Sequence, residues 1–297
     1  MKGRKKLATY DIHEIKKLVI IGMFSDDVLM EQLVVKGGNA LDIILEVSTR
    51  ASVDVDFSLA GDLPEQLSAT SARIEKSLRE TFAVVDLVLF DFQMSAKPAI
   101  LSADVADFWG GYGIEFKLIE RENFEQHKAS VESLRRNALP LGQGTKFLID
   151  ISRFEYTIGK EAHQLDGFRI YAYSPAMITC EKLRAICQQM PDYSPVIHRG
   201  RHGTARARDF LDLHTIVTHF NINLLADENI ALLRVIFEAK KVPLKLLGNI
   251  GKYRDFHESD WPSVRDTVKA GKKVNGFDFY FDFVLGLAKK LEPFWNK

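Results

Sequence analysis

Two aspartates one residue apart, Asp54 and Asp56, are the side chains of this sequence best suited to chemistry. Around them Val53, Val55 and Phe57 alternate with Asp54, Asp56 and Ser58, the period of a strand. Residues two apart on a strand share a face, so the carboxylates point the same way, opposite the apolar row. Side by side they repel each other, and a divalent cation between them would relieve that repulsion. Upstream, the apolar run Leu33-Val34-Val35 reads as a short strand broken by Gly37-Gly38. A glycine pair before a helix lets the backbone come close to a ligand, and the free N–H groups of the helix start suit phosphate. Ala40, Leu41, Ile43, Ile44 and Val47 then recur at helical spacing.

Other candidates lie further along. The strand KFLIDIS, Lys146 to Ser152, carries Asp150 between apolar residues; Glu115, in YGIEFKLIE, is a competing strand carboxylate. Lys182 sits in EKLRA, in a helix that begins at Ser174-Pro175. RARDFLDL opens another helix, with Arg208 beside Asp209, and with Asp209 and Asp212 on one helix face. A lysine supplies a compact charge for a triphosphate, and an aspartate one helix away can hold it in place or take a proton from an attacking hydroxyl. The loop before that helix is basic, with Arg199, Arg201, Arg206 and Arg208 near the candidate site. Its arginines suit phosphate, either of a nucleotide or of an RNA backbone. His198 and His202 have no metal-ligand spacing. Cys180 and Cys187 lie about 10 Å apart on a helix, too far for a disulfide, and read as buried small residues.

The order strand, Gly-Gly, helix, then a strand with Asp-x-Asp is the layout of the polymerase-β-type nucleotidyltransferases. The wording KGGNALDIIL followed by RASVDVDF, with EKLRA and RARDFLDL, resembles the AbiEii/AbiGii-type nucleotidyltransferase toxins of toxin–antitoxin and phage-defence systems. The match is motif-level and covers about residues 33–220. It implies an enzyme that moves a nucleoside monophosphate from an NTP to an acceptor hydroxyl, with tRNA or another RNA as acceptor and a cognate antitoxin as partner. Asp54, Asp56 and Asp150 would bind Mg²⁺ or Mn²⁺, with Glu115 left open as the third carboxylate. Lys36, Gly37, Gly38, Lys182 and Arg208 would bind the nucleotide, and Asp209 would orient Lys182 or the acceptor. Two other readings stay open: a nucleotide-binding regulatory subunit without turnover, and nucleotidylation of a protein acceptor.

The elements needed to position these residues set the expected fold. It is an α/β (α+β) nucleotidyltransferase domain with a small mixed sheet, residues 1–173, followed by a mainly helical C-terminal domain, residues 174–297, that completes the active site. A leading helix carries Ile12, Ile15, Leu18, Val19 and Met23, and Ser25-Asp26-Asp27 caps a short second one. Pro64 to Phe82 and Phe124 to Ala138 read as helices, Ala83 to Phe92 as a strand, and Gly159 to Gly167 as a polar hairpin. Later helices span Asp227 to Lys240, Ser259 to Ala270 with Ser259 as N-cap, and Phe277 to Leu291, whose aromatic residues read as core.

The 297 residues are 46% hydrophobic and 27% charged with zero formal net charge, so any nucleic-acid surface must be local. The apolar runs are too short to span a bilayer and the basic start, MKGRKKLATY, is followed by no signal core, so a cytoplasmic protein with no membrane contact is expected.

Overall fold

The first two helices begin where an acidic side chain satisfies free N–H groups. In the computed structural model, which describes residues 11–51, 54–141, 144–201 and 203–295, Asp11 accepts from His13 N at the start of α1 (Ile12–Phe24). Asp26 accepts from Val28 and Leu29 at the start of α2 (Asp27–Gln32). The basic N-terminus, Val53 and His202 lie outside the described residues. β1 (Val34–Lys36) runs into a single helical turn, α3 (Gly37–Asn39), continued by a π-helical turn over Ala40–Ile44. There follow β2 (Val55–Ser58), α4 (Leu67–Ala83), β3 (Leu87–Lys97), β4 (Gly111–Glu120), α5 (Arg121–His127), α6 (Val131–Arg136), β5 (Phe147–Ser152), β6 (Glu161–Leu165) and β7 (Phe168–Ala172). After β7 the described elements are helical: α7 (Pro175–Cys187), a 3-10 segment Pro191–Ile197, α8 (Ala207–His219), α9 (Asp227–Glu238), a 3-10 segment Leu244–Tyr253, α10 (Arg254–Glu258), α11 (Trp261–Asp266) and α12 (Phe277–Trp295).

The strands form one mixed sheet of seven, in the order β3-β4-β5-β2-β1-β7-β6, larger than the sequence suggests. β2 runs parallel to β5 and β1 parallel to β7; the other pairs are antiparallel. Val35 and Phe57 pair on one face, and Phe57 meets Phe24 of α1 with ring centroids 6.3 Å apart. The other face carries Lys36, Asp56 and Asp150, which share a row across β1, β2 and β5.

Some boundaries differ from the sequence pattern. The strand expected from Ala83 begins at Leu87, because the chain turns at residues 84–86, with Asp86 at φ 59° and Val84 76% exposed. It then runs on to Lys97. The helix expected over residues 124–138 is two helices, since the Ser130 side chain accepts from Ser133 N and starts α6 afresh. The polar hairpin contains a full strand, β6, joined to β7 through Asp166 (φ 49°) and Gly167 (φ 90°), the left-handed pair of a tight two-residue turn. Asp260, not Ser259, stands before α11.

A single hydrophobic cluster runs from Ile15 through the sheet to Leu291 of α12, and a small second one joins Phe90, Ile119, Leu134 and Ala138 on the far side of β4. The helical half also reaches back to the approach to β2. Arg50 bridges Val268, Ala51 N donates to Thr267 O at 2.8 Å, and Lys269 N donates to Thr49 O at 3.0 Å. Cys180 and Cys187 are buried free thiols of α7.

Candidate active site

The sheet register builds the site. In antiparallel β1–β2 Lys36 stands opposite Asp56, and in parallel β2–β5 Asp56 stands beside Asp150. Paired residues on neighbouring strands are about 4.8 Å apart and point to the same face. Glu115, the rival carboxylate, pairs instead with Leu148, and both its oxygens take Lys146 Nζ at 2.9 Å. Asp54 precedes β2, where the Asn39 side-chain amide donates to its backbone carbonyl. Burial pushes the Asp56 carboxyl up to about 6, with Lys36 opposing the rise and Asp150 adding to it. Asp54 is also raised, by burial first and then by Asp150.

Gly37 meets Asp56 where β1 gives way to α3. Its φ is 67°, a conformation L side chains rarely adopt.

Two buried ionic networks line the cleft. Lys182 Nζ donates to Asp209 Oδ1 at 2.8 Å and to Asp212 Oδ2 at 2.7 Å. Asp212 also receives Arg50 Nε at 2.9 Å and Nη2 at 2.6 Å, and the second oxygen of Asp209 receives Arg206. Burial works against the Lys182 charge, but Asp209 and Asp212 together hold its pKa above the usual value. Burial would likewise raise the Asp209 carboxyl; Arg206 and then Lys182 overcome this and hold it well below the usual carboxylate range. Asp209 is only 1% exposed, and its two oxygens are taken up by Lys182 and Arg206.

The second network centres on Glu155, which is 5% exposed. Arg184 grips it at 2.8 and 3.2 Å, Lys36 Nζ lies at 3.2 Å and Lys240 Nζ at 3.8 Å. Lys36 Nζ also donates to Ser152 Oγ at 3.0 Å. Lys36 Nζ, expected on a nucleotide, is thus bonded to Ser152 and Glu155 and pairs across the sheet from Asp56. Burial lowers Lys240 to about 8 despite Glu155.

Every position expected of the site lines one cleft of about 930 Å³: Lys36, Gly37, Gly38, Asp54, Asp56, Asp150, Lys182, Arg208 and Asp209. That is the upper end of the range for small-ligand sites. The basic loop divides. Arg199 donates to the carbonyls of Gln188, Gln189 and Met190 and caps α7, and Arg206 is held by Asp209. Arg201 and Arg208 are exposed, donate no hydrogen bond among the described residues and face the cleft. Sequence reasoning passed over Arg50, Glu155, Arg184 and Lys97. Arg50 and Glu155 carry only one signal, their closeness in sequence to Asp54 and Asp150.

No group of three or more His, Cys, Asp and Glu side chains among the described residues is drawn together as a metal cage. The donor chemistry still fits a hard cation. Asp56 and Asp150 are adjacent on one face, Asp54 lies two residues before Asp56, and the burial and mutual repulsion that raise Asp56 are what Mg²⁺ or Mn²⁺ would offset.

A mixed sheet thus sets Asp-x-Asp beside a third carboxylate, next to a Gly-Gly turn and in the same cleft as a helix lysine. Residues 20–282 match the family model described as nucleotidyl transferase AbiEii toxin, type IV TA system, and the chain belongs to that family. Among solved structures, a nucleotidyltransferase from Helicobacter pylori shares 16% identity and a TM-score of 0.50, each chain being covered over 95% of its length. MenT4, a nucleotidyltransferase toxin of Mycobacterium tuberculosis H37Rv, shares 14% identity at a TM-score of 0.49, covering 94% of this chain and 83% of its own. No curated protein matches the chain.

Proposed function

We propose that this protein transfers a nucleoside monophosphate from an NTP to a hydroxyl of an RNA acceptor, with tRNA as that RNA. It would act in the cytoplasm as the toxin of a toxin–antitoxin or phage-defence pair, restrained by a cognate antitoxin. The observation that carries the reading is the Asp56–Asp150 register beside Gly37, in the same cleft as Lys182.

Asp54, Asp56 and Asp150 would hold Mg²⁺ or Mn²⁺, which when bound supplies positive charge to the reacting phosphates. The remaining work belongs to the chain itself. Gly37 and Gly38 let the triphosphate approach the backbone, Lys182 and Arg208 neutralise it, and Lys36 keeps positive charge under Asp56. Such transfer depends mainly on positioning and charge neutralisation. No helix among the described residues is long and apolar enough to cross a membrane.

The test is to incubate the protein with labelled NTPs, Mg²⁺ and total tRNA. Label should pass to tRNA, and Asp56→Ala should abolish it. Equal transfer by the variant would sink the assignment; label on protein and none on RNA would change the acceptor.

A further inference from the structure

The segment that leads from α11 to α12 is basic in a protein whose formal net charge is zero. It holds Arg265, Lys269, Lys272 and Lys273 against the single acid Asp266. Arg265, Lys272 and Lys273 are exposed and enter no ion pair or side-chain hydrogen bond among the described residues. Lys269 anchors the segment: its Nζ donates to Asp42, a carboxylate 4% exposed in the π-helical turn after Gly37-Gly38. The main chain fixes it to the approach to β2. Val268 bridges Arg50, Ala51 N donates to Thr267 O at 2.8 Å, and Lys269 N donates to Thr49 O at 3.0 Å. Arg50 itself lines the cleft, and Asp54 follows Ala51 by three residues, at most about 11 Å of chain. Lys272 N then donates to Lys269 O at 3.0 Å around Gly271 at φ 79°, where a turn of this kind needs a glycine. The two exposed lysines therefore stand on a turn tied by main-chain bonds to the entry of the Asp-x-Asp strand.

We infer that this turn is a docking surface for the RNA acceptor, with Lys272 and Lys273 holding backbone phosphates of the strand whose end enters the cleft. The inference rests on the reading of RNA as the acceptor. Lysine is a compact charge on a flexible stem and suits a row of phosphates, which it binds without regard to base. Contacts of this kind fix the register of a nucleic acid and carry no sequence information. Here the register is set against Asp54, because the turn and the approach to β2 are bonded to each other. An acidic protein would be drawn by the same charge but would need apolar anchors to bind stably. The stretch KAGKK, Lys269 to Lys273, offers none beyond Ala270.

Filter binding of total tRNA across a salt series, with steady-state transfer of labelled NTP, tests this. The double variant Lys272→Gln/Lys273→Gln should bind tRNA with a salt slope shallower by about 1.5 units, which is about 30-fold weaker binding near 0.1 M salt. Its KM for tRNA should rise in proportion, with kcat and the KM for NTP unchanged. Lys272→Arg/Lys273→Arg should behave as the wild type. So should Lys289→Gln/Lys290→Gln, which removes the same charge from exposed positions of α12 about 18 Å along the helix from its start. All of these side chains are exposed, so the variants should fold as the wild type does. A wild type that neither binds nor labels RNA would overturn the acceptor reading itself. A wild type that does both, with the Lys272/Lys273 variant unaffected or the α12 control weakened equally, would overturn this surface alone; an unaffected variant would leave the charge to an acidic protein.

Discussion

A Cβ added to Gly37 would stand 2.7 Å from Asp56 Oδ2, and the glycine that prevents this already holds a φ of 67°. The carboxylate can pack so closely only against a residue without a side chain. Gly37→Ala is therefore expected to cost about 1–2 kcal/mol of backbone strain and to push Asp56 aside. A misplacement of about 1 Å at a reacting group is worth on the order of 100-fold in rate. Thermal melting should show a folded but weakened protein and the transfer assay a loss near that size; full transfer by the folded variant would remove Asp56 from the reaction.

The Arg50–Asp212–Lys182 network links the segment before β2 to α7 and α8 through buried charge. Removing one partner of a buried pair leaves an uncompensated charge and costs about 3–5 kcal/mol. Arg50→Met and Asp212→Leu should each destabilise by that order in urea unfolding. The double variant should lie near the milder single one, since the loss is shared. Additive losses would show that the contact is not energetically coupled.

The parts of the site carried by local pattern were legible in the sequence. Gly37 and Asp56 sit in or beside short elements whose break or period announces them, and Asp54 follows from the same alternation, whereas Lys182 came only from the resemblance of EKLRA to the family. The ionic partners were not legible, because Arg50 meets Asp212 and Glu155 meets Lys36 across more than a hundred residues. Only the sheet order and the packing of α7 and α8 bring those together. The boundary errors have local causes. The turn at Asp86 and the Ser130 cap override an apolar pattern that otherwise reads as continuous.

The basic loop also looked uniform in sequence, and the structure splits its roles. Arg199 is tied to three carbonyls at the end of α7, whereas Arg201 and Arg208 stand exposed at the cleft. Arg199→Ala should lower stability by roughly 1–3 kcal/mol, because buried acceptors lose their donor. Arg201→Ala should leave melting unchanged and weaken RNA transfer, reducing the salt dependence of RNA binding by about one unit of slope, whereas Arg208→Ala should leave melting unchanged and weaken NTP binding. Melting curves and filter binding across a salt series distinguish Arg199 from Arg201; a loss of stability in Arg201→Ala with unaltered RNA binding would reverse the assignment.

His257 gives the stability of the site a pH dependence. Its ring is 0% exposed, packs against Phe210 at 5.1 Å, and accepts the backbone N–H of Arg206 on Nδ1 at 3.1 Å, immediately before α8. Burial lowers its pKa from 6.5 to about 4, so the folded protein keeps the ring neutral in a range where the unfolded chain takes up a proton. Below about pH 6.5 the unfolded state binds more protons than the folded state, and stability falls as pH falls, most of the loss being complete by about pH 4. A shift of this size corresponds to about 3 kcal/mol. Asp56, raised to about 6, takes up its proton in the folded state over the same window and opposes this slope, so the His257 contribution shows as a difference between variants. In urea unfolding between those limits His257→Gln, which keeps an acceptor but cannot titrate, should lose less stability than the wild type as pH falls. Equal slopes in the two proteins would place the acid sensitivity elsewhere.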